Sequence, residues 1–233
     1  MMKILLFVIA TLTCAYSYAA TEYLSVATPV AITADNAKGS HLNGQSIMLV
    51  AMVKSKRFSE AEEFAKQLRK SYEVGFNNKL KHYSFQSKAE YDEFKRTSSE
   101  QFEWIDWGYK ECLQMQAFIK SEKKDFLGSL EILFEIEKLA PVSAQTLAEI
   151  GYVLNQLGKF NEALSLYQKA HDLSIKYTSQ RPFQASALRG MGFSLIELER
   201  LDEAERVFKE SLELEPMSHV SSNELKYIQS LRN

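Results

Sequence analysis

From Ala144 onward the apolar positions fall three or four residues apart. Leu147, Ile150, Gly151 and Leu154 mark one helical stripe, and Ala163, Leu166, Tyr167 and Ala170 mark a second beyond Gly158. Displaced by 41 residues, the pattern returns: Leu147 falls on Leu188, Gly151 on Gly192, Leu154 on Leu195, Ala163 on Ala204, Tyr167 on Phe208 and Leu173 on Leu214. Displaced by 34 the other way, Leu147 falls on Leu113, Gly151 on Ala117, Phe160 on Phe126 and Leu173 on Leu139. Each unit predicts two helices joined by a turn. Repeats of this length predict a solenoid.

The small residues set the expected geometry. Gly151 and Gly192 are placed where a first helix meets its own partner, with Ala163 and Ala204 on the partner's facing side. Small side chains there let helix axes approach to about 8–10 Å. Tyr167 and Phe208 then fill the space to the next unit, and Pro141 and Pro216 stop the second helices. Ser59 with Glu62, and Asp202 with Glu205, have capping-box spacing.

These residues resemble the tetratricopeptide repeat: a Leu, a Gly or Ala four residues on, a turn, an aromatic, an Ala, a second aromatic and a closing Pro. Leu188, Gly192, Leu201, Ala204, Phe208 and Pro216 give the unit 185–218, with Leu201 replacing the first aromatic. Leu147, Gly151, Phe160, Ala163, Tyr167 and Ala170 give 144–184, which is seven residues long for the pattern and has Ile175 in place of Pro. Those seven are about two helical turns, so both helices there can lengthen without losing face. Leu113, Ala117, Phe126 and Pro141 give 110–143, with Ser129 for Ala. The stretch "KRFSEAEEFAKQL" resembles the turn and second helix of a further unit, 42–75. The resemblance implies an all-α solenoid of helical hairpins, wound as a right-handed superhelix and closed by a C-terminal capping helix over 219–233.

The segment 76–109 departs from the motif. It is rich in aromatics, among them Phe76, Tyr83, Phe85, Tyr91, Phe94, Phe102, Trp104 and Trp107. It reads as a degenerate helical unit, with a long amphipathic helix from about Lys88 to Lys120 and an irregular or helical link before it. Such a segment also fits a structural protein that self-associates through it.

The N-terminus reads as a separate piece. Lys3, the apolar run Ile4 to Ala10 and Ser17-Tyr18-Ala19 give the pattern of a secretory signal peptide over 1–19, cleaved at Ala19 or Ala20. Cys14 is a poor lipidation site, because Thr11 stands where a large aliphatic residue is needed. Residues 20–41 read as extended, with small polar residues toward Gly39. The expected location is therefore periplasmic or secreted. Removal of 1–19 leaves 27 basic and 30 acidic residues and a single thiol, Cys112, too few for an internal disulfide. Cys112 reads as a small buried hydrophobe. The near-neutral charge gives no nucleic-acid surface, and no apolar stretch has the length of a membrane span.

Catalytic patterns are missing from the sequence. His41, His82, His171 and His219 have no ligand neighbours at metal spacing. Gly190-Met191-Gly192 begins like a dinucleotide loop, but a third glycine and a preceding strand are lacking. No cofactor or metal is expected, and the chain reads as a non-catalytic scaffold. In the family it resembles, first helices line a concave groove that binds peptides, and the residue after the Gly or Ala usually points into it. Here those residues are Phe118, Tyr152 and Phe193, with Asn155 and Arg189 as polar anchors. Gln114, Ser121, Ala148 and Ile196 are placed on the same face. The expected partner is another protein or peptide segment, with a homo-oligomer as a further possibility. Glu111, Gln114 and Glu149 have the wrong chemistry to clamp a C-terminal carboxylate. The chain's own segments are the alternative cover for the three aromatics: the long helix, residues 20–41 or the last helix.

Overall fold

The structure is a computed structural model and describes residues 37–232. The signal peptide expected over 1–19, Cys14 and most of the extended segment 20–41 lie outside the described residues. Four helical hairpins follow one another: α1 (Asn43–Lys54) with α2 (Phe58–Glu73), α4 (Trp107–Glu122) with α5 (Phe126–Leu139), α6 (Ala144–Gln156) with α7 (Phe160–Lys176), and α8 (Gln184–Glu197) with α9 (Leu201–Leu214). A last helix, α10 (His219–Leu231), packs on α9 and α8. Between the first and second hairpins stand β1 (Lys81–Ser84), α3 (Lys88–Thr97) and β2 (Phe102–Ile105).

The four hairpin turns are copies of one device. Lys56, Lys124, Gly158 and Glu199 each adopt the left-handed conformation, with φ of 57°, 64°, 72° and 58°. In each turn the next residue's N–H reaches back five residues: Arg57 to Met52, Asp125 to Lys120, Lys159 to Leu154 and Arg200 to Leu195, at 2.9–3.0 Å. The left-handed residue itself donates three residues back. Together these two bonds form a Schellman C-cap, which satisfies the last carbonyls of each first helix. The second helix then begins at once, and the capping boxes expected at Ser59–Glu62 and Asp202–Glu205 do not form. The N-cap residues are Arg57 and Arg200, without a side-chain cap. Each Arg instead pairs through its guanidinium with the carboxylate three residues on, Glu60 and Glu203.

Small residues sit at the close contacts, as the pattern predicts. Ala61, Ala65, Ala163, Ala170 and Ala204 have no exposed surface. A Cβ added to Gly192 would lie 2.5 Å from the Phe208 ring, and one added to Gly151 would lie 2.9 Å from Tyr167. Ser129, which replaces the repeat's Ala, is satisfied in place. Its hydroxyl donates to the Ala117 carbonyl at 2.9 Å and accepts from Ser121 at 2.8 Å. Leu147 and Leu188 are both buried. Pro141 and Pro216 stand two residues beyond the ends of α5 and α9.

Two segments differ from expectation. The helix expected from Lys88 to Lys120 is broken in two. Ser98 turns to an extended conformation, residues 102–105 form β2, and Asp106 caps α4 by accepting from the Gly108 N–H at 2.8 Å. β2 pairs in parallel with β1, with Tyr83 opposite Trp104, and Lys38 joins its other edge. Aromatic spacing alone does not separate these states: Phe102 and Trp104 also alternate as a strand does. The rings of this β-α-β insert pack on one another. Tyr91 stacks on Trp104 at 4.4 Å, and Phe85 meets Tyr91, Phe94, Phe102 and Trp104. The cluster also takes in Val142, Leu173 and Tyr177, so the insert docks onto the third hairpin. The second difference is the long unit. Only α7 lengthens there, to 17 residues; the rest of the extra chain forms a short 3-10 helix, Thr178–Phe183, containing Pro182.

Candidate functional site: the face of the first helices

The first helices α6 and α8 lie side by side, and α10 packs against α8. Ser194 donates to Asn155 Oδ1 at 3.0 Å and ties α8 to α6. On this face Phe118, Tyr152 and Phe193 are each partly exposed and lie outside the sealed core. Each directly follows a residue buried against its own hairpin: Ala117, Gly151 or Gly192. Phe118 lies 6.3 Å from the Phe58 ring of the preceding hairpin, and Phe193 meets Phe208 edge-on at 5.6 Å. Neither ring contact involves α10. Asn155 and Ile196 also remain partly exposed.

Three residues expected on this face are not open on it. Arg189 is 5% exposed and turns toward its own hairpin, where its guanidinium donates to Glu215 at 2.5 Å and to Ser211 at 3.5 Å. It is thus an internal anchor of α8 on α9. Gln114 and Ser121 are buried between helices. Arg189 stands one turn before Phe193, but its long stem carries the guanidinium away from the face to the Glu215 carboxylate.

Carboxylates give the face its character. At one end, Lys110 is fully buried, with its ammonium 3.9 Å from the Trp107 ring centre and 3.3 Å from Ser143 Oγ. Burial lowers its pKa, and Glu149, Glu90 and Glu111 oppose that shift. Glu90 is pushed up to about 7 by burial, against the pull of Lys110 and a bond from the Gln86 N–H. Burial also raises Glu111, whose Oε1 is buried with no hydrogen-bond partner among the described residues. At the other end stand Glu197 on α8, Glu224 on α10 and Tyr227. Glu224 is 9% exposed, and burial alone pushes its carboxyl up to about 7. Burial raises Glu197 too, and burial followed by the two carboxylates raises the Tyr227 hydroxyl. Sequence reasoning missed these groups. The available signal was Glu197 one turn after Phe193, and therefore on the same helix face.

The described residues hold no cluster of three or more potential metal ligands, and no described helix is long and apolar enough to cross a membrane. Cys112 is fully buried, donates to the Ala65 carbonyl at 3.3 Å, and has its thiol pushed up to about 12. A separate cleft of about 790 Å³ lies between the insert and α2, α4 and α5, beside Phe76, His82 and Tyr109. Its carboxylates Glu73 and Glu135 are already bound by Arg69.

Residues 142–215 match the tetratricopeptide repeat family. No curated protein sequence matches the chain. Among solved structures, the TPR-like repeats of a kinesin light chain protein from Podospora anserina superpose with a TM-score of 0.58 at 12% identity, over 82% of this chain and 86% of that one. MamA from Desulfovibrio magneticus RS-1 gives 0.56 at 13% identity, over 84% and 88%. A tetratricopeptide repeat protein from Parabacteroides merdae gives 0.55 at 14% identity, over 83% and 61%. At these identities the likeness is one of fold. The chain is thus an all-α helical-hairpin solenoid of the tetratricopeptide-repeat kind, with the family match falling on its third and fourth hairpins.

Proposed function

We propose that the chain is a non-catalytic adaptor of the bacterial cell envelope that binds a segment of another protein along its first-helix face. The observation that carries this reading is the row Phe118, Tyr152 and Phe193. Three successive hairpins place an aromatic ring, partly exposed, at the same repeat position. Large rigid rings on a pre-formed surface supply contact area at low entropic cost, which is how recognition grooves gain affinity. Asn155 adds a polar point beside them. Export is supported by the sequence pattern of residues 1–19. Six aromatic residues of 76–109, the segment that motivated the alternative of self-association, are engaged with one another and with the third hairpin: Tyr83, Phe85, Tyr91, Phe94, Phe102 and Trp104.

The test is a photoreactive residue at Phe193, and separately at Glu210 on the exposed face of α9, in envelope preparations. Adducts should form from position 193 and be lost in the Tyr152→Ala/Phe118→Ala variant of unchanged helicity. Equal adducts from both positions, or adducts indifferent to the two alanines, overturn the reading.

A further inference from the structure

The C-terminal end of the face has a charge imbalance that the fold does not resolve. Four cations at this end are held by other carboxylates. Arg189 pairs with Glu215, Arg200 with Glu203, Lys209 with Glu205, and Arg232 with Asp202 and Glu205. Lys226 is exposed and stands two residues from Glu224, a spacing that puts it on another side of α10. Glu197 and Glu224 make no hydrogen bond or ion pair among the described residues. Glu224 is nevertheless nine-tenths buried. A buried carboxylate without a partner is expensive to ionise. Glu224 and the partly exposed Glu197 both lie within electrostatic reach of one hydroxyl, that of Tyr227. One turn before Glu197, on the same side of α8, is the partly exposed ring of Phe193.

Resting on the groove reading, we propose that Phe193, Glu197, Glu224 and Tyr227 form a pocket for a lysine or arginine side chain of the bound polypeptide. A cation there would supply the missing counter-charge to both carboxylates. Its stem would lie along apolar surface, and its head would meet aromatic rings, which attract cations through their faces. Charge complementarity selects this occupant. An acidic segment would add to the repulsion, and a purely apolar one would seal the two carboxylates from water without a partner.

The test uses short synthetic peptides of identical Phe, Ala and Ser content that carry two lysines, two glutamines or two glutamates, titrated calorimetrically into the full chain. The lysine peptide should bind roughly tenfold more tightly than the glutamine one, about 1.4 kcal/mol. The glutamate peptide should bind most weakly. The preference should vanish in Glu197→Gln/Glu224→Gln. It should persist in Glu210→Gln/Glu213→Gln, which removes the same charge from exposed positions of α9. Equal binding of the lysine and glutamine peptides, or equal loss of preference in the two double variants, overturns the pocket while leaving the groove standing. If no peptide binds, or if Phe193→Ala leaves all three titrations unchanged, the groove reading falls and the pocket falls with it.

Discussion

Gly190 lies under the ring of Tyr167, so closely that a Cβ at this position would overlap the ring carbons. The same ring lies against Gly151 of its own hairpin, so one tyrosine packs the third hairpin internally and docks the fourth onto it. Tyr167 is 6% exposed and has little room to withdraw. Gly190→Ala should therefore destabilise by about 1–3 kcal/mol, the usual range for overpacking. Urea unfolding should show a lower midpoint with an unchanged slope. In a double-mutant cycle, Tyr167→Leu should recover part of the loss, because the two sites share one contact.

That contact shows how far the sequence could be read. The repeat marked Gly151, Gly192, Ala163, Ala204, Tyr167 and Phe208 as the packing residues, since a fixed offset repeats only where the geometry repeats. Gly190 falls outside the motif, so the repeat offset does not mark it. The insert was misjudged for a different reason. Its rings occur at spacings that satisfy both a helix and a strand, and the choice is made by Lys38, Lys81–Ser84 and residues 102–105 pairing across a sequence distance that local pattern does not report. The row of aromatics on the first helices was legible. The carboxylates beside it were not, because an isolated Glu in a helix reads as solvated until the neighbouring helix is placed over it.

The turn residues give a gain of stability. Glu199 holds φ of 58° with an ordinary side chain, where the equivalent residue of the preceding hairpin is Gly158. A left-handed residue with a Cβ carries roughly 1–2 kcal/mol of strain. Glycine relieves it and loses some of that gain to its freer unfolded chain. Glu199→Gly should raise stability by about 0.5–1 kcal/mol, and Gly158→Ala should lower it by a similar amount. Paired thermal melts of the two variants check the sign of each.

Cys112 should be inert in the native chain. It has no exposed surface, and burial holds its thiol near 12, far above the pH at which thiolates react. A maleimide reagent should leave the folded protein unlabelled and label it fully in denaturant. Labelling at native rates equal to a free thiol would show that the α2–α4 contact opens readily.

Glu224 gives the pH dependence. Its carboxyl moves from an ordinary 4.5 to about 7 on folding, so the native state holds a proton that the unfolded chain releases. A raised carboxyl pKa gives stability that is complete below 4.5, declines as pH rises, and is lost by about 7. The shift corresponds to at most roughly 3–4 kcal/mol at about 1.4 kcal/mol per unit. Glu197, also raised by burial, acts in the same direction. Glu224→Gln keeps the shape and removes the charge. It should match the wild type at about pH 4 and exceed it at about pH 8, where the wild-type carboxylate is ionised without a partner. Urea midpoints of both proteins across that range measure the difference directly. A variant that is more stable alone at high pH yet binds the lysine peptide less well would mark this carboxylate as one held for a ligand, in the manner of binding sites that carry unfavourable charge until they are filled. Equal stability of the two proteins at both pH values would mean that solvent already reaches the group and that its burial is without consequence.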